Sequence, residues 1–567
     1  MFQKEVILLS LLLVFSYATE KSNYRPPLYI DNVVSDEVQE FLKKTSNNKI
    51  EKIPSSYDIL GRKKNELKPN FTNFVVIPEE TMEVDVAYLG NHKPSAKISG
   101  RYEYNNSSRK FWFNGEIVSE KDYFFSFEQS INKTFRNPGF RKKMTANEIN
   151  TLLKGPQKVF IQKAPKYTDD AFVEYSIILG LSEISTHAHP NGYKGANIGI
   201  YFDEAGCPHS GNVDTLYYTQ VSPCPNGEQR HPTGIVKVLQ TTAPMANVYG
   251  FGSKDTIPNP YIYTPNIVIG THSWGTTASN GTYSAADARY DSYVYDEKVT
   301  NFFSAGNASI LDPDSQVASP AIAPNVLAVG AVSPTLFRYK DYSKHDNSSL
   351  DNQKPEIGNF TEFIFSDAAD FTDNQGHIWN KRFDGTSAAT PYSAALLADL
   401  FSQHSFFKWH PEVVKALFLS SEKIPITGAD NFDEDNISVA KKIPTYSSMA
   451  WNHRNAYWND TNTCCFDSNN KITFTESNIQ ANVHYRIAIA WLTNPDYIVA
   501  YNMLSQDLDL RVYQNNQLIA YSISSNDPFE VVDFTTSSSS DLTIEILRYA
   551  NSGDDDVILG YSFWNDL

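Results

Sequence analysis

Short apolar runs alternate with helix-type runs through the middle of the chain, between about residues 167 and 424. Strands that are apolar at nearly every position are typical of parallel sheets covered on both faces. The pattern therefore predicts an α/β unit with a doubly wound, mostly parallel sheet. The runs are residues 196–202, 245–251, 266–270, 300–304 and 326–332.

The two flanking regions have different patterns. The N-terminal one is strand-rich, with one helix predicted where Thr145 and Glu148 form a capping box ahead of apolar positions. In the C-terminal one, helical periodicity fades and short apolar runs between turns predict a β-sandwich, with a hairpin at Asn515-Asn516. The predicted units are residues 1–18, 19–165, 166–430 and 438–567.

The first 18 residues have the pattern of a secretory signal peptide. Lys4 precedes an apolar run, and Ser16 and Ala18 place small residues at the −3 and −1 positions of a cleavage site. An N-terminal membrane anchor is the alternative, although the run is short for a span. Ten Asn-x-Ser/Thr sites fit secretion. We expect a glycoprotein that is secreted or kept in an endomembrane, lysosome-like compartment.

Composition and charge narrow the classes of partner. A content of 41% hydrophobic and 20% charged residues is that of a globular chain. A net charge of −17 argues against nucleic acid or an anionic membrane as the main partner. No later segment approaches 18 uninterrupted apolar residues, so we expect no membrane span after signal removal, and a monomer.

The four cysteines are too few for a disulfide-built scaffold. Cys207 and Cys224 lie 17 residues apart, and entry into the secretory pathway makes a bond between them plausible. Cys464 and Cys465 are adjacent, and we expect that they cannot easily bond to each other without strain.

The strongest local signal is the run Gly385-Thr386-Ser387-Ala388-Ala389-Thr390-Pro391. An apolar run that begins a helix follows it, and a helix N-terminus favours a developing oxyanion. The run resembles the nucleophile motif G-T-S-x-A-x-P of the subtilisin-like serine peptidases, and residues 409–417 resemble the helix that follows in that family. The resemblance implies that Ser387 is the nucleophile of a serine endopeptidase. A capped helix without chemistry is the alternative.

A second motif, Ser304-Ala305-Gly306-Asn307, ends an apolar strand. The family carries A-G-N here, which implies that the Asn307 side chain donates to the oxyanion. The alternative is a strand-terminal turn in which Asn tolerates a positive φ. Asn307 is also an Asn-x-Ser site, and a glycan there would abolish the chemistry.

The motif for the carboxylate of the triad departs from the family. Asp203 ends an apolar strand, but the sequence reads Asp-Glu-Ala-Gly where the family has D-[ST]-G, with one extra residue before Gly206. The resemblance assigns Asp203 as the carboxylate that orients the catalytic histidine. A surface-turn Asp is the alternative.

The motif for the general base departs further. His231-Pro232-Thr233 stands where the family has H-G-T. A proline is tolerated one residue inside a helix, so His231 is expected just before a helix start. The resemblance assigns His231 as the base, with His209 as its rival. The order Asp203, His231, Ser387 is the subtilisin order.

Ser273-Trp274-Gly275 resembles the family's S-x-G substrate strand. An extended peptide is expected to add there as a β-strand, and Trp274 is expected to form an apolar wall. The resemblance thus implies a peptide or protein substrate.

The flanks also resemble parts of the family. Residues 144–164 resemble the last helix and strand of an inhibitory prodomain, which implies that residues 19–165 inhibit the enzyme until cleavage near Lys163 to Asp170. The alternative is a permanent N-terminal domain. Asp507 and Asp509 lie on one face of a strand and are candidate ligands of a structural calcium ion, although such pairs are often only solvated. The chemistry itself requires no cofactor.

Two other functions stay open. The altered motifs around Asp203 and His231 also fit a catalytically inactive subtilase homologue that acts as a secreted binding protein. A secreted adhesion module is the third hypothesis, and the intact motifs around Ser387 and Asn307 argue against it. Sedolisins share a similar nucleophile motif but use an acidic pair and an Asp oxyanion residue, which His231 and Asn307 argue against.

Overall fold

The computed structural model describes residues 31–47, 80–90, 92–93, 99–124, 133–165, 167–169, 179–180, 194–276, 281–308, 315–334, 338–345, 350–365, 368–374, 376–421, 423–425, 442–444, 449–459, 461–551 and 556–566. The predicted signal peptide lies outside the described residues. Among the helices described, none combines the length and apolar character needed to cross a bilayer.

A small sheet with helices packed on it forms the first unit of the N-terminal region. Strands β1, β7, β2 and β6 form the sheet in that order, and helices α1 and α2 pack on it through Val38 and Ile149. Helix α2 begins at the predicted capping box, where the Thr145 hydroxyl accepts from the Glu148 N–H and the Glu148 carboxylate accepts from the Thr145 N–H. The elements of this region are β1 Val33–Val34, α1 Asp36–Asn47, β2 Thr81–Leu89, β3 Gly100–Asn105, β4 Lys110–Phe113, β5 Glu116–Val118, β6 Gly139–Thr145, α2 Ala146–Leu153, β7 Lys158–Lys163 and β8 Tyr167–Asp169.

The middle region is an eight-stranded sheet with helices on both faces. Its path is β11-β12-β10-β13-β15-β16-β17, and β18 also pairs with β16; only the β16–β17 pairing is antiparallel. The elements are β9 Leu179–Gly180, β10 Gly199–Asp203, β11 Tyr218–Gln220, α3 Arg230–Thr242, β12 Asn247–Phe251, β13 Ile267–His272, β14 Trp274–Thr276, α4 Ala285–Glu297, β15 Thr300–Ser304, β16 Leu327–Ser333, β17 Arg338–Tyr339, β18 Ile357–Phe360, β19 Phe363–Ile364, β20 Arg382–Phe383, α5 Thr386–Gln403 and α6 Pro411–Ser420.

The strands of this sheet bury side chains on both of its faces. Ile200 and Phe202 of β10 pack in the core that α3 and α5 share, whereas Tyr201 packs with Tyr293 of α4 in a different core. Side chains of successive strand residues point to opposite faces, so a strand buried on both faces is apolar throughout. The predicted doubly wound, mostly parallel sheet is the sheet found here.

The C-terminal region contributes two sheets that share one apolar core. One has the order β24-β29-β26-β27, and the other has the order β28-β25-β30-β23-β3-β4-β5. The hairpin predicted at Asn515-Asn516 joins β26 to β27, and both asparagines have positive φ. The elements are β21 Lys423–Pro425, β22 Lys442–Pro444, β23 His453–Asn459, α7 Thr461–Cys464, β24 Lys471–Glu476, β25 His484–Leu492, α8 Pro495–Tyr501, β26 Gln506–Gln514, β27 Gln517–Ser522, β28 Phe529–Thr535, β29 Leu542–Asn551 and β30 Ile558–Asn565.

Strands β3 to β5 connect the N-terminal region to the C-terminal sheet. β3 pairs antiparallel with β23 from Gly100, opposite Asn459, to Asn105, opposite Arg454. Phe111 of β4 is 5% exposed, and its ring packs near that of Phe406, which follows α5. The predicted unit 19–165 is therefore divided in the structure between its own small sheet and the C-terminal sheet.

Buried charges fasten the small sheet to α4. The guanidinium of Arg289 on α4 lies 2.5 Å from the Asp255 carboxylate and 3.4 Å from that of Asp85 on β2. A second contact uses His92: burial works to lower its pKa, but hydrogen bonds to Asp296 and Asp496 outweigh burial and raise the pKa to about 10. His92 is therefore a cation held between two carboxylates.

Segment 99–124 should behave as a permanent part of the fold. We expect Phe111→Ala to lower the free energy of unfolding by about 3–5 kcal/mol, because it leaves a cavity in a packed core. Ile117→Ala on the neighbouring strand is the matched control, since Ile117 is 67% exposed and should change stability by less than about 0.5 kcal/mol. Thermal unfolding of both variants measures this. A Phe111→Ala protein that melts with the wild type would show that the segment is only loosely attached.

Candidate active site

The predicted nucleophile lies at the start of α5. Gly385, just before the helix, has a φ of 88°, a conformation that other residues rarely adopt. The Asp384 carboxylate accepts hydrogen bonds from the Gly385 N–H and from the hydroxyls of Tyr342 and Thr361, which fixes this turn. Ser387 is the second residue of the helix and is fully buried.

The predicted base meets this serine. His231 Nε2 lies 3.0 Å from Ser387 Oγ. His231 is the second residue of α3, whose start meets the start of α5 because the two helices pack together. It is thus inside the first turn rather than just before it. Pro232 follows as the third helical residue, where its missing N–H costs nothing because first-turn amides have no partner within the helix.

The carboxylate beside His231 is Glu204, not Asp203. Glu204 Oε2 lies 3.1 Å from His231 Nδ1, and Glu204 is 1% exposed. The Glu204 N–H donates to the carbonyl of Phe251 on the neighbouring strand, which fixes its backbone at the sheet edge. The assignment of Asp203 as the carboxylate that faces His231 is therefore corrected to Glu204.

The Asp203 carboxylate is engaged elsewhere. It lies 2.6 Å from His272 Nδ1, and it accepts from the Trp274 indole N–H at 3.0 Å and from the Thr256 N–H at 2.8 Å. The Tyr290 hydroxyl also donates to it, at 3.3 Å. Asp203 is fully buried, so these donors replace the water that its charge would otherwise require.

His272 lies between the Asp203 carboxylate and the Asn301 side chain. The Asn301 amide donates to the carbonyl of Val299, so Asn301 Oδ1 faces His272 Nε2 at 2.9 Å and accepts from the Tyr201 hydroxyl. Asp203 and His272 thus form a fully buried hydrogen-bonded pair.

The geometry of a strand end explains the wrong assignment. Asp203 and Glu204 are consecutive, so their side chains leave the extended chain on opposite sides. With Asp203 as the carboxylate of the family motif, the sequence has one extra residue before Gly206. With Glu204 in that place, Glu-Ala-Gly has the family spacing, and this spacing is the sequence signal that identifies Glu204.

Cys207 and Cys224 connect the segment that carries Glu204 with the segment that carries His231. Their Cα atoms are 5.6 Å apart and their sulfur atoms are within bonding distance, as the sequence suggested. The Cys207 N–H donates to the Gly227 carbonyl, and the Gln229 N–H donates to the Cys207 carbonyl. The residues just after Glu204 are thereby tied to those just before His231. Cys464 and Cys465, the adjacent pair for which a bond is not easily formed, are also within bonding distance.

Asn307 follows β15 and is attached to the nucleophile helix. Its Oδ1 accepts from both the N–H and the hydroxyl of Thr386, each at 3.1 Å. These two bonds fix the orientation of the amide and make its nitrogen the donor end. The predicted oxyanion residue is therefore held one residue from Ser387.

The predicted substrate strand, Ser273-Trp274-Gly275, lies beside Ser387, but Trp274 does not line it. Ser273 is tied to the nucleophile, because its hydroxyl donates to the Ser387 carbonyl at 2.8 Å and its carbonyl lies 3.2 Å from Ser387 Oγ. Trp274 is fully buried and its indole points to Asp203, so the prediction that it forms a substrate-facing wall is wrong. Gly275 lies within β14 beside it.

A segment of the chain already lies on this strand. β8 pairs antiparallel with β14, with Thr168 opposite Gly275 and Asp169 opposite Trp274. Backbone pairing of this kind is how an extended peptide is bound at a sheet edge.

The rival base and the calcium candidates lie elsewhere. The His209 ring stacks on Phe371 at 4.3 Å. Asp507 and Asp509 are buried on β26, and Asp509 accepts from the Arg511 guanidinium at 3.1 Å. No cluster of three or more His, Cys, Asp or Glu side chains able to hold a metal ion occurs within the described ranges.

The site thus combines a buried serine, a histidine and a carboxylate at the carboxyl edge of a doubly wound sheet. The model of the subtilase family matches residues 253–444 of this chain. This match includes Ser387 and Asn307 but not Glu204 or His231. The family is one of serine peptidases, so its substrates are peptides or proteins.

Comparison with solved structures gives distant similarities. Fervidolysin from Fervidobacterium pennivorans, a keratinolytic enzyme related to subtilisin, is 12% identical, with 81% of this chain and 70% of that chain covered and a TM-score of 0.40. The prenylagaramide maturation protease PagA is 18% identical over 48% of this chain and 98% of that one, with a TM-score of 0.35. The self-cleaved protease domain of PatA is 19% identical over 45% and 97%, with a TM-score of 0.33. No curated protein matches the chain.

Proposed function

We propose that this protein is a serine endopeptidase whose triad is Ser387, His231 and Glu204. The observation that carries the proposal is the pair of contacts of one imidazole, to Ser387 Oγ at 3.0 Å and to the Glu204 carboxylate at 3.1 Å. A serine becomes a nucleophile when a base within hydrogen-bond distance accepts its proton and a third group orients that base. Glu204 takes the role that the sequence assigned to Asp203.

The reaction begins when Ser387 Oγ attacks the peptide carbonyl and His231 Nε2 accepts its proton. His231 then returns the proton to the leaving amine, and water releases the acyl group by the same steps in reverse. Glu204 keeps the Nδ1 proton in place and stabilises the imidazolium. Before attack, the single proton of the Ser387 hydroxyl has two acceptors, the imidazole and the Ser273 carbonyl, so only one of the two arrangements is reactive.

The negative oxygen that forms is bound by the Asn307 amide and the Ser387 N–H. The hydrogen bonds from Thr386 hold the Asn307 amide before substrate arrives, so no reorganisation is needed at the moment of reaction. One donor of this kind contributes about two to three orders of magnitude in kcat.

The N-terminal region acts as an inhibitor in this proposal. Strand β8 takes the place of an extended substrate on β14, which supports the predicted role of residues 19–165 as an inhibitory prodomain. Cleavage just after β8 would free the substrate strand. Segment 99–124 would remain attached to the enzyme, because β3 is paired with β23 in the C-terminal sheet.

Secretion and processing leave distinct chain ends. We expect the protein recovered from the medium of a eukaryotic expression host to contain two associated chains, one beginning at Thr19 and the other soon after β8. N-terminal sequencing and size-exclusion chromatography measure this, with Ser387→Ala protein as the unprocessed control. A single active chain that begins at Thr19 would contradict the inhibitory role and favour a permanent N-terminal domain.

Neutralising Glu204 should lower kcat, whereas neutralising Asp203 should lower the stability of the fold. We expect Glu204→Gln to lower kcat by about three to four orders of magnitude with little change in melting temperature, because it loses only the orientation of His231. Asp203→Asn should instead lower the free energy of unfolding by about 1–3 kcal/mol, because an amide has one acceptor oxygen where the carboxylate has two, so either the Trp274 indole or the Thr256 N–H loses its acceptor. Steady-state kinetics on a peptide substrate and thermal unfolding separate the two effects.

The opposite pattern would overturn the assignment. A Glu204→Gln enzyme with wild-type kcat, beside a stable but inactive Asp203→Asn enzyme, would return the catalytic role to Asp203.

A further inference from the structure

The two donors of the proposed oxyanion hole lie on different segments of the chain. Asn307 follows β15, and the Ser387 N–H belongs to the first turn of α5, about 80 positions later in the sequence. Donors of this kind are effective because they are fixed in place before the charge develops. An element that holds both segments would therefore affect the reaction without touching the substrate.

The segment that follows β17 holds the Asn307 side of this hole. Ser343 pairs with Asn307 in an antiparallel β-bridge. The N–H of Ala308 donates to the Tyr342 carbonyl at 2.6 Å, and the Lys344 N–H donates to the carbonyl of the glycine before Asn307 at 3.0 Å. Hydrogen bonds from this segment therefore fix the backbone on both sides of Asn307.

The same segment is anchored to the central sheet. The Ser343 hydroxyl accepts from the N–H of Ala331 on β16 at 3.0 Å, and Ser343 is 1% exposed. The Ser343 N–H donates to the Lys340 carbonyl, and the Lys340 N–H donates to the Ala331 carbonyl, each at 2.9 Å. The position of the segment is thus set by the sheet.

The Tyr342 side chain extends from this segment to the other side of the hole. Its hydroxyl donates to Asp384 Oδ1 at 2.8 Å, and the same oxygen accepts from the N–H of Gly385, the residue that begins the nucleophile turn, at 2.6 Å. Burial and the neighbouring Asp384 charge raise the pKa of Tyr342 well above its ordinary value, so the hydroxyl stays protonated. Tyr342 therefore contacts the Asn307 segment through its backbone and the nucleophile turn through its side chain.

We propose that Tyr342 is a positioning residue that sets the separation between the two oxyanion donors. The inference rests on the proposed function, and it adds a residue that acts through Asn307 and the Ser387 N–H rather than on the substrate. The hydrogen bonds from Thr386 orient the Asn307 amide. The hydrogen bond from Tyr342 instead connects the nucleophile turn to the backbone that carries this amide.

Tyr342→Phe tests the proposal, because it removes the hydroxyl and keeps the ring, whose centroid lies 5.6 Å from the Lys340 ammonium. We expect kcat on a peptide substrate to fall about tenfold to thirtyfold, which is less than the loss of a whole donor, with KM within about twofold. Tyr339→Phe is the matched control in the same segment, because its hydroxyl donates to the Lys344 carbonyl at 3.2 Å. Its kcat should stay within about twofold of the wild type.

A double-mutant cycle separates positioning of the oxyanion donors from a general loss of packing. In the Asn307→Ala background one donor is already absent, so adding Tyr342→Phe should lower kcat by less than about twofold further. The two losses would multiply if Tyr342 acted independently of Asn307. A Tyr342→Phe enzyme with wild-type kcat, or losses that multiply, would overturn the proposal.

Hydrogen exchange separates failure of this inference from failure of the proposed function. It is measured by mass spectrometry on the peptide 384–390 of Ser387→Ala protein, which cannot react. Amides there should exchange about tenfold faster with Tyr342→Phe added than with Tyr339→Phe added, because the turn opens more readily. Equal exchange would refute the positioning role, even for a wild type that cleaves. A wild type without peptidase activity would refute the proposed function, and the exchange measurement would still decide whether Tyr342 holds the turn.

Discussion

The burial of two consecutive carboxylates at the end of one central strand is the constraint on which the site depends. Neither Asp203 nor Glu204 reaches solvent, so each requires a cation or hydrogen-bond donors within the fold. Successive side chains of the strand point to opposite sides. Asp203 therefore pairs with His272, which directly precedes the substrate strand, and Glu204 faces His231 at the start of α3. At the end of β10, Asp203 therefore holds the substrate strand and Glu204 holds His231.

Asp203 and Glu204 therefore have different structural roles. The Asp203–His272 pair is sealed among aromatic rings, including Phe303 stacked on His272 at 4.2 Å, and holds Trp274 in place. Ser273 is thereby fixed between His272 and Trp274, with its carbonyl close to Ser387 Oγ. The position of the substrate strand and the position of His231 thus depend on separate contacts that share only the backbone of β10.

The path of the N-terminal region bears on its proposed role as an inhibitor. Its small sheet docks on α4 through charged contacts, its strands β3 to β5 complete the C-terminal sheet, and β8 lies on the substrate strand. One chain segment thus contacts each of the other parts of the molecule. A cut just after β8 would change access to the site without removing the strands that the C-terminal core needs.

Local signals in the sequence predicted much of the fold, and long-range pairing limited the rest. The capping box at Thr145, the hairpin at Asn515-Asn516 and the apolar strands of the central sheet depend on neighbouring residues, and the structure contains all of them. The pairing of β3 with β23 joins residues about 350 positions apart, which no local pattern specifies.

The site was predictable in part for the same reason. The sequence could place Ser387, His231 and Asn307 at one candidate site because each lies within a recognisable local motif. The choice between Asp203 and Glu204, and the inward direction of Trp274, depend on which face of a strand each side chain occupies. A one-residue shift of register reverses that face.

The central claim is that Ser387 is an activated nucleophile with His231 as its base. The most direct measurement is incubation of the recovered protein with a fluorophosphonate probe, followed by mass spectrometry of the labelled peptide. We expect one labelled residue, Ser387, and loss of labelling in His231→Ala. A folded protein that stays unlabelled, or labelling that persists in His231→Ala, would contradict the account and favour an inactive subtilase homologue.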